Sequence, residues 1–292
     1  MGSIEAPWGS GTTLPLEFPD GWRVDRTSVV EPDLAGAVED YPSTLGRALD
    51  APRDAPRLED LARAGAKVAL VVDDPSRWTP VREALPIVLQ RLRAAGVADQ
   101  DVTISVGVGR HHAVDAEAMR RRLGDDPAAR YVCHSPPVDD LSAYDDLGVT
   151  SQGVPIRVFR PVARADLRIL IGSVLPHLQA GFGGGYKLIF PGTSHRTTLG
   201  ALHRQGLSAG SDAGRLLGGC ASGNPMRSAI HEAASRLGPC VSISHLIGSP
   251  GMIFRVLSGR PESVQDELAA EARRRFEAPP PPPPDVVVVG DH

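Results

Sequence analysis

Four short segments carry side chains able to move protons, bind anions or hold a metal. The first, Asp73-Asp74-Pro75-Ser76-Arg77-Trp78-Thr79-Pro80, follows an apolar run. Arg77 can clamp a carboxylate through two parallel hydrogen bonds, Asp74 can orient it or bind a ribose hydroxyl, and Thr79 can cap the next helix. A polar turn closed by an Asp–Arg ion pair is the competing reading. The second, Gly107-Val108-Gly109-Arg110-His111-His112, presents imidazole, the side chain best poised for proton transfer near neutral pH. Adjacent residues of an extended segment point to opposite sides, so one of the two histidines faces a shared pocket, unless both sit in an exposed loop. The third runs from Pro176 and His177 through Gly181, Gly183, Gly184 and Gly185 to Lys187. Glycine-rich backbone admits a phosphate closely, and the lysine adds a charge partner or nucleophile. Neither a Walker pattern nor a dinucleotide GxGxxG is present, and a flexible glycine loop competes. The fourth is His203, sixteen residues beyond Lys187, with His195 between them. Imidazole ligates nickel, copper, zinc or iron, but one histidine without a partner at metal spacing is normally structural.

The whole chain narrows the classes. Its 292 residues carry 31 basic and 35 acidic side chains, a net charge of −4, which gives no footprint for nucleic acid or an anionic membrane. Arg120 to Arg122 read as a solvated helix face. Cys133, Cys220 and Cys240 form no CxxC, so neither a zinc knuckle nor a disulfide framework is indicated. No apolar run approaches the roughly 18 residues of a spanning helix, and Met1 to Pro7 lack signal-peptide features. A cytoplasmic protein is expected. Of the basic residues only Lys67 and Lys187 are lysines, which fits a GC-rich genome.

Alternating strands and helices must position these segments. Residues 1–65 read as an irregular arm with a short hairpin around Leu14 to Val24. Apolar runs then predict strands at 67–72, 102–107, 130–133, 156–159, 167–172, 240–246 and 252–257, and helical spacing predicts helices around 85–92, 115–123, 224–237 and 261–276. This is an α/β pattern, with a mainly parallel, Rossmann-like sheet and ligands beyond the strand C-termini. A cofactor-binding domain is expected over 1–277. Six prolines at 279–284 end a stiff linker, 278–284, and 285–292 begin like the first strand of a C-terminal domain that goes no further.

Together these segments resemble the nickel-dependent lactate racemase family. DDPSRWTP is similar to its DxxRxTP motif, GVGRHH to its GxH segment, and PHLQAGFGGGYKLIFPG to its PH…AGxGGGxK…PG signature, with LGALH supplying a distal histidine. The resemblance implies a racemase or epimerase of small, lactate-like 2-hydroxy acids that works by hydride transfer to and from a nickel-pincer nucleotide. It implies that Lys187 holds this pyridinium-3,5-bisthiocarboxylic acid mononucleotide covalently, that His203 ligates the nickel, and that Gly183, Gly184 and Gly185 approach its phosphate. His111 and His177 match the catalytic histidines, each serving as base for one enantiomer, and Asp74 and Arg77 match the acidic and substrate-positioning residues. His112 stands where the family has arginine. The family's members are longer, which leaves open a sequence that is part of a longer protein, a separate chain supplying the C-terminal half, or a non-catalytic cofactor carrier; a nicotinamide-dependent oxidoreductase is a further alternative. Cofactor-biosynthesis enzymes are the implied partners.

Overall fold

The structure, a computed structural model, describes residues 3–8, 12–22, 35–208, 210, 216–218 and 223–277. The linker expected at 278–284 and the strand expected at 285–290 lie outside the described residues. Two units separate, Met1–Asp33 with Phe276–His292 and Leu34–Arg275. In the first, β1 (Ser3–Trp8) pairs antiparallel with β2 (Thr12–Glu17). This hairpin lies earlier than the Leu14 to Val24 expected, and its strands contain Pro7 and Pro15. A two-stranded ribbon tolerates both, because each strand keeps one unpaired edge where a residue without an N–H fits.

The second unit begins with a further departure from the irregular arm. Asp40 accepts from the Ser43 amide and Pro42 occupies the first turn of α1 (Tyr41–Asp50), which buries Leu45, Ala48 and Leu49; α2 (Leu58–Leu61) follows. The sheet comprises β3 (Val68–Asp73), β4 (Val102–Gly107), β5 (Val132–His134), β8 (Leu167–Ser173), β11 (Cys240–Ser249) and β12 (Met252–Gly259), in the order β12-β11-β8-β3-β4-β5. All neighbours are parallel except β11 with β12. β6 (Tyr144–Val149) and β7 (Pro155–Phe159) form a separate antiparallel ribbon, so the strand expected at 156–159 lies outside the main sheet.

Parallel strands need covering on both faces, and alternate residues of β3 show how it is done. Leu70 and Val72 join one core with Leu45, Leu85 and Leu89, while Ala69 and Val71 join another with Phe190, Met226 and Ile230. The first core is covered by α1, α3 (Val81–Ala94) and α4 (Ala116–Leu123), with α5 (Asp125–Arg130) following, and the second by α6 (Arg160–Ala163), α7 (Arg196–Leu207) and α8 (Pro225–Ala234). Short β9 (Pro176–His177) and β10 (Gly181–Phe182) pair beyond β8, and α9 (Pro261–Phe276) follows β12. Among the described residues no helix is long and apolar enough to cross a membrane.

Candidate active site

The C-terminal ends of β3, β4 and β8 open into a cavity of about 390 Å³ lined by Asp74, Arg77, His111, His177, Gly183, Gly184, Lys187 and His203, among others. Every singled-out segment therefore reaches one site, the position where parallel α/β sheets bind ligands. Gly185 does not line it; a Cβ there would meet Gln265 Oε1 at 3.1 Å. His195 is also elsewhere, as the N-cap of α7 accepting from the Thr197 amide. His112 is exposed.

Backbone crowding explains two of the glycines. Gly184 has φ +74° and a Cβ there would lie 2.8 Å from the Ser173 carbonyl, while at Gly107 it would lie 2.9 Å from that of Leu188. The short 3-10 turn Gly185–Leu188 can thus seat Lys187 against the ends of β4 and β8.

The loop after β3 is set by a group that sequence reading placed in solvent. Arg120 and Arg121 are exposed as expected, but the Arg122 side chain is only 9% exposed. It pairs with the Asp73 carboxylate and donates to the backbone oxygens of Asp73, Arg77 and Thr79 at 3.0–3.1 Å. Thr79 does not cap α3; its hydroxyl donates to Asp73 Oδ2 at 2.6 Å. The missed signal is helical phase, for Arg122 sits three residues past the buried Met119. The loop after β9 has a similar hidden anchor. Asn224 caps α8 and donates to the Gln179 carbonyl at 2.9 Å, and the buried Arg227 donates to the carbonyls of Ala180 and Phe182.

Asp74 is the acidic member of the site, since Asp73 is matched by Arg122. Burial raises the Asp74 carboxyl, but hydrogen bonds from Ser76 and the neighbouring His111 outweigh this and hold it below its ordinary value. Lys187 is pushed down to about 7, first by burial and then by Arg77 and Arg227, with Asp74 opposing. Burial, then Lys187, Arg77 and Arg227, push His177 to about 3, and burial followed by Lys187 lowers His203. The site favours an anion and offers an amine with a sizeable neutral fraction at pH 7.

Known proteins match the chain over part of its length. The profile of the lactate racemase N-terminal domain matches residues 10–214. The lactate racemase of Thermoanaerobacterium thermosaccharolyticum is 27% identical over 208 residues, 70% of this chain and 47% of that protein. That of Lactiplantibacillus plantarum is 30% identical over 189 residues, 65% and 43% respectively. The chain spans about half the length of these curated relatives. Among solved structures, the lactate racemase apoprotein from T. thermosaccharolyticum superposes with a TM-score of 0.79 at 23% identity, over 94% of this chain and 63% of that one. A Thermotoga maritima protein gives 0.61 at 18% identity, over 74% and 55%.

Proposed function

We propose, because the chain belongs to the lactate racemase N-terminal domain family, that it interconverts the enantiomers of small 2-hydroxy acids with a nickel-pincer nucleotide held on Lys187. The observation that carries this is the convergence of Asp74, Arg77, His111, His177, Lys187 and His203 on one cavity.

The donor set fits such a cofactor. Among the described residues no three His, Cys, Asp or Glu side chains converge on a metal, so His203 alone suits an ion that arrives already held by an organic ligand rather than one needing a protein cage. Lys187, with its amine lowered to about 7, suits acyl linkage, and Arg110, together with Lys187 before it is acylated, suits a phosphate. When bound, the group supplies a hydride acceptor for the substrate carbon, which an unaided histidine could not deprotonate.

The chain's own residues do the remainder. Arg77 holds the carboxylate common to both enantiomers. His111 and His177 meet the substrate oxygen, and Asp74 fixes His111 by accepting a hydrogen bond from its Nδ1 at 3.0 Å. Fixed geometry replaces the entropy of bringing acid, base and substrate together.

Intact-mass analysis of protein produced with the cofactor-biosynthesis enzymes tests this directly. An adduct on Lys187 with stoichiometric nickel is expected, followed by interconversion of 2-hydroxy acid enantiomers. An unmodified Lys187 overturns the proposal; an adduct without interconversion replaces the enzyme with a cofactor carrier.

A further inference from the structure

Both carboxylates that line the cavity are already engaged. Asp73 pairs with Arg122 and accepts from the Thr79 hydroxyl, while Asp74 accepts from the Ser76 amide at 2.8 Å and from His111 Nδ1 at 3.0 Å. Lys187, half-buried in the same lining, is left without an ion-pair partner among the described residues. Its backbone has one seat. The Lys187 amide donates to the Gly184 carbonyl at 3.2 Å, and the crowding of Gly184 against Ser173 fixes where that turn can lie.

Burial, then the Arg77 and Arg227 charges, outweigh Asp74 and bring the Lys187 amine to about 7, while the His177 and His203 rings beside it are themselves kept neutral by burial and by the lysine. About half of the molecules then carry a neutral amine at pH 7, against roughly one in 2,500 for an ordinary lysine near 10.4. A neutral amine is a nucleophile for carbonyl carbon. The cavity that holds it also holds Arg77, which can grip a carboxylate, and in a 2-oxo acid the carbonyl carbon is bonded directly to that carboxylate.

We propose that the cofactor-free chain captures 2-oxo acids in this cavity, Arg77 holding the carboxylate while Lys187 forms an imine with the adjacent carbonyl. Nζ bonds to the carbonyl carbon, and the carbon–oxygen π pair moves to oxygen. The carbon–oxygen bond then breaks as the carbon–nitrogen double bond forms, and the two amine hydrogens leave with that oxygen as one water. No oxidant or reductant is needed. His111 and His177, in the same lining, can carry the protons between nitrogen and oxygen, and the acid's carboxylate offsets the positive charge of a protonated imine. The capture does not depend on the racemase reading. Under that reading the cofactor acylates the same nitrogen, so a 2-oxo acid and the cofactor exclude one another on Lys187.

Lys67 and Lys187 are the chain's two lysines, so exposed Lys67 is an internal reference. The cofactor-free full chain is incubated at pH 7 with pyruvate and sodium cyanoborohydride, which reduces the imine to a stable amine, and the adduct is located by peptide mass spectrometry. Lys187 should be labelled at least about 10-fold faster than Lys67, and at least about 10-fold faster by pyruvate than by acetone, which has the carbonyl but no carboxylate. Lactate, which has the carboxylate but no carbonyl, should slow labelling of Lys187 and leave that of Lys67 unchanged.

Arg77→Gln should slow labelling by pyruvate about 10-fold or more and labelling by acetone much less. The lactate arm needs no variant, so the test survives a substitution that fails to fold. Equal labelling of the two lysines, acetone as effective as pyruvate, or no protection by lactate overturns the proposal. Capture by the cofactor-free chain with no interconversion of enantiomers after loading leaves the proposal standing and removes the racemase reading; interconversion after loading with no capture before it removes the proposal alone.

Discussion

Lys67 and Lys187 share a side chain and nothing else. Lys67 is 64% exposed and pairs with Asp101 at 2.5 Å, a surface contact that arginine could make equally well. Lys187 has no ion-pair partner among the described residues and is lowered to about 7 by burial and by Arg77 and Arg227. Such an amine weakens the fold. In the unfolded chain its value is about 10.4, so between about pH 7 and 10 the unfolded state holds more protons and stability should rise with pH across that window. Lys187→Met should therefore be more stable than wild type at pH 7, and the difference should shrink towards pH 10. Urea midpoints of both proteins from pH 6 to 10 check this. A gap independent of pH would show that the amine is not desolvated as described. The same substitution must abolish the mass adduct, and Lys187→Arg must do so too, because a guanidinium keeps the charge but not the nucleophile.

At the scale of elements, the site depends on loops tied down by arginines from neighbouring helices. Arg122 reaches from α4 to the β3 loop, and removing it leaves the buried Asp73 carboxylate unmatched. Arg122→Met should destabilise the protein by about 3–5 kcal/mol, whereas Arg121→Met, which loses only an exposed pair with Glu117, should change it by about 0.5 kcal/mol or less. Equal effects in denaturant unfolding would contradict the clamp. Asp73→Asn in the Arg122→Met background should recover part of the loss. This contrast also marks what the chain discloses unfolded. β3, β4 and β8 are legible because a strand buried on both faces is a continuous apolar run, and the helices between them because their apolar residues recur at helical spacing. Their order alone places Asp74, His111 and His177 at strand ends. Helix α1 is hidden by the proline- and glycine-rich residues around it, although Asp40, Pro42 and the Leu45–Leu49 spacing are its signals. β6 is hidden because its Asp145 and Asp146 look like loop; Arg157 pairs with Asp146 across the ribbon, and Arg164, at the end of α6, pairs with Asp145. Arg122 and Arg227 are hidden for a different reason. A buried arginine is defined by the carbonyls that turn towards it, and those belong to segments distant in sequence.

Over the whole molecule the net charge is −4, yet the cavity gathers Arg77, Arg110 and Lys187 where the parallel strands end. Acidic residues are spent elsewhere in ion pairs, among them Glu267 with Arg53 and Arg255, and Asp99 with Arg93 and Arg130. The field a ligand meets is therefore local and opposite in sign to the average. Anion binding should depend on the phosphate of a nucleotide more than on its base. A pyridinium mononucleotide added to cofactor-free protein should raise the melting temperature in proportion to the logarithm of its concentration, and the matching nucleoside at equal concentration should have little effect. The stabilisation should weaken with added sodium chloride, because charges at an open cavity are screened over about 8–10 Å at ordinary ionic strength. Arg77→Gln should leave most of it in place if that guanidinium serves the substrate carboxylate, whereas Lys187→Met should reduce it. Equal stabilisation by nucleoside and nucleotide would mean that the cationic cluster is not where the phosphate binds, and the phosphate contact assigned to Arg110 and Lys187 would have to be given up.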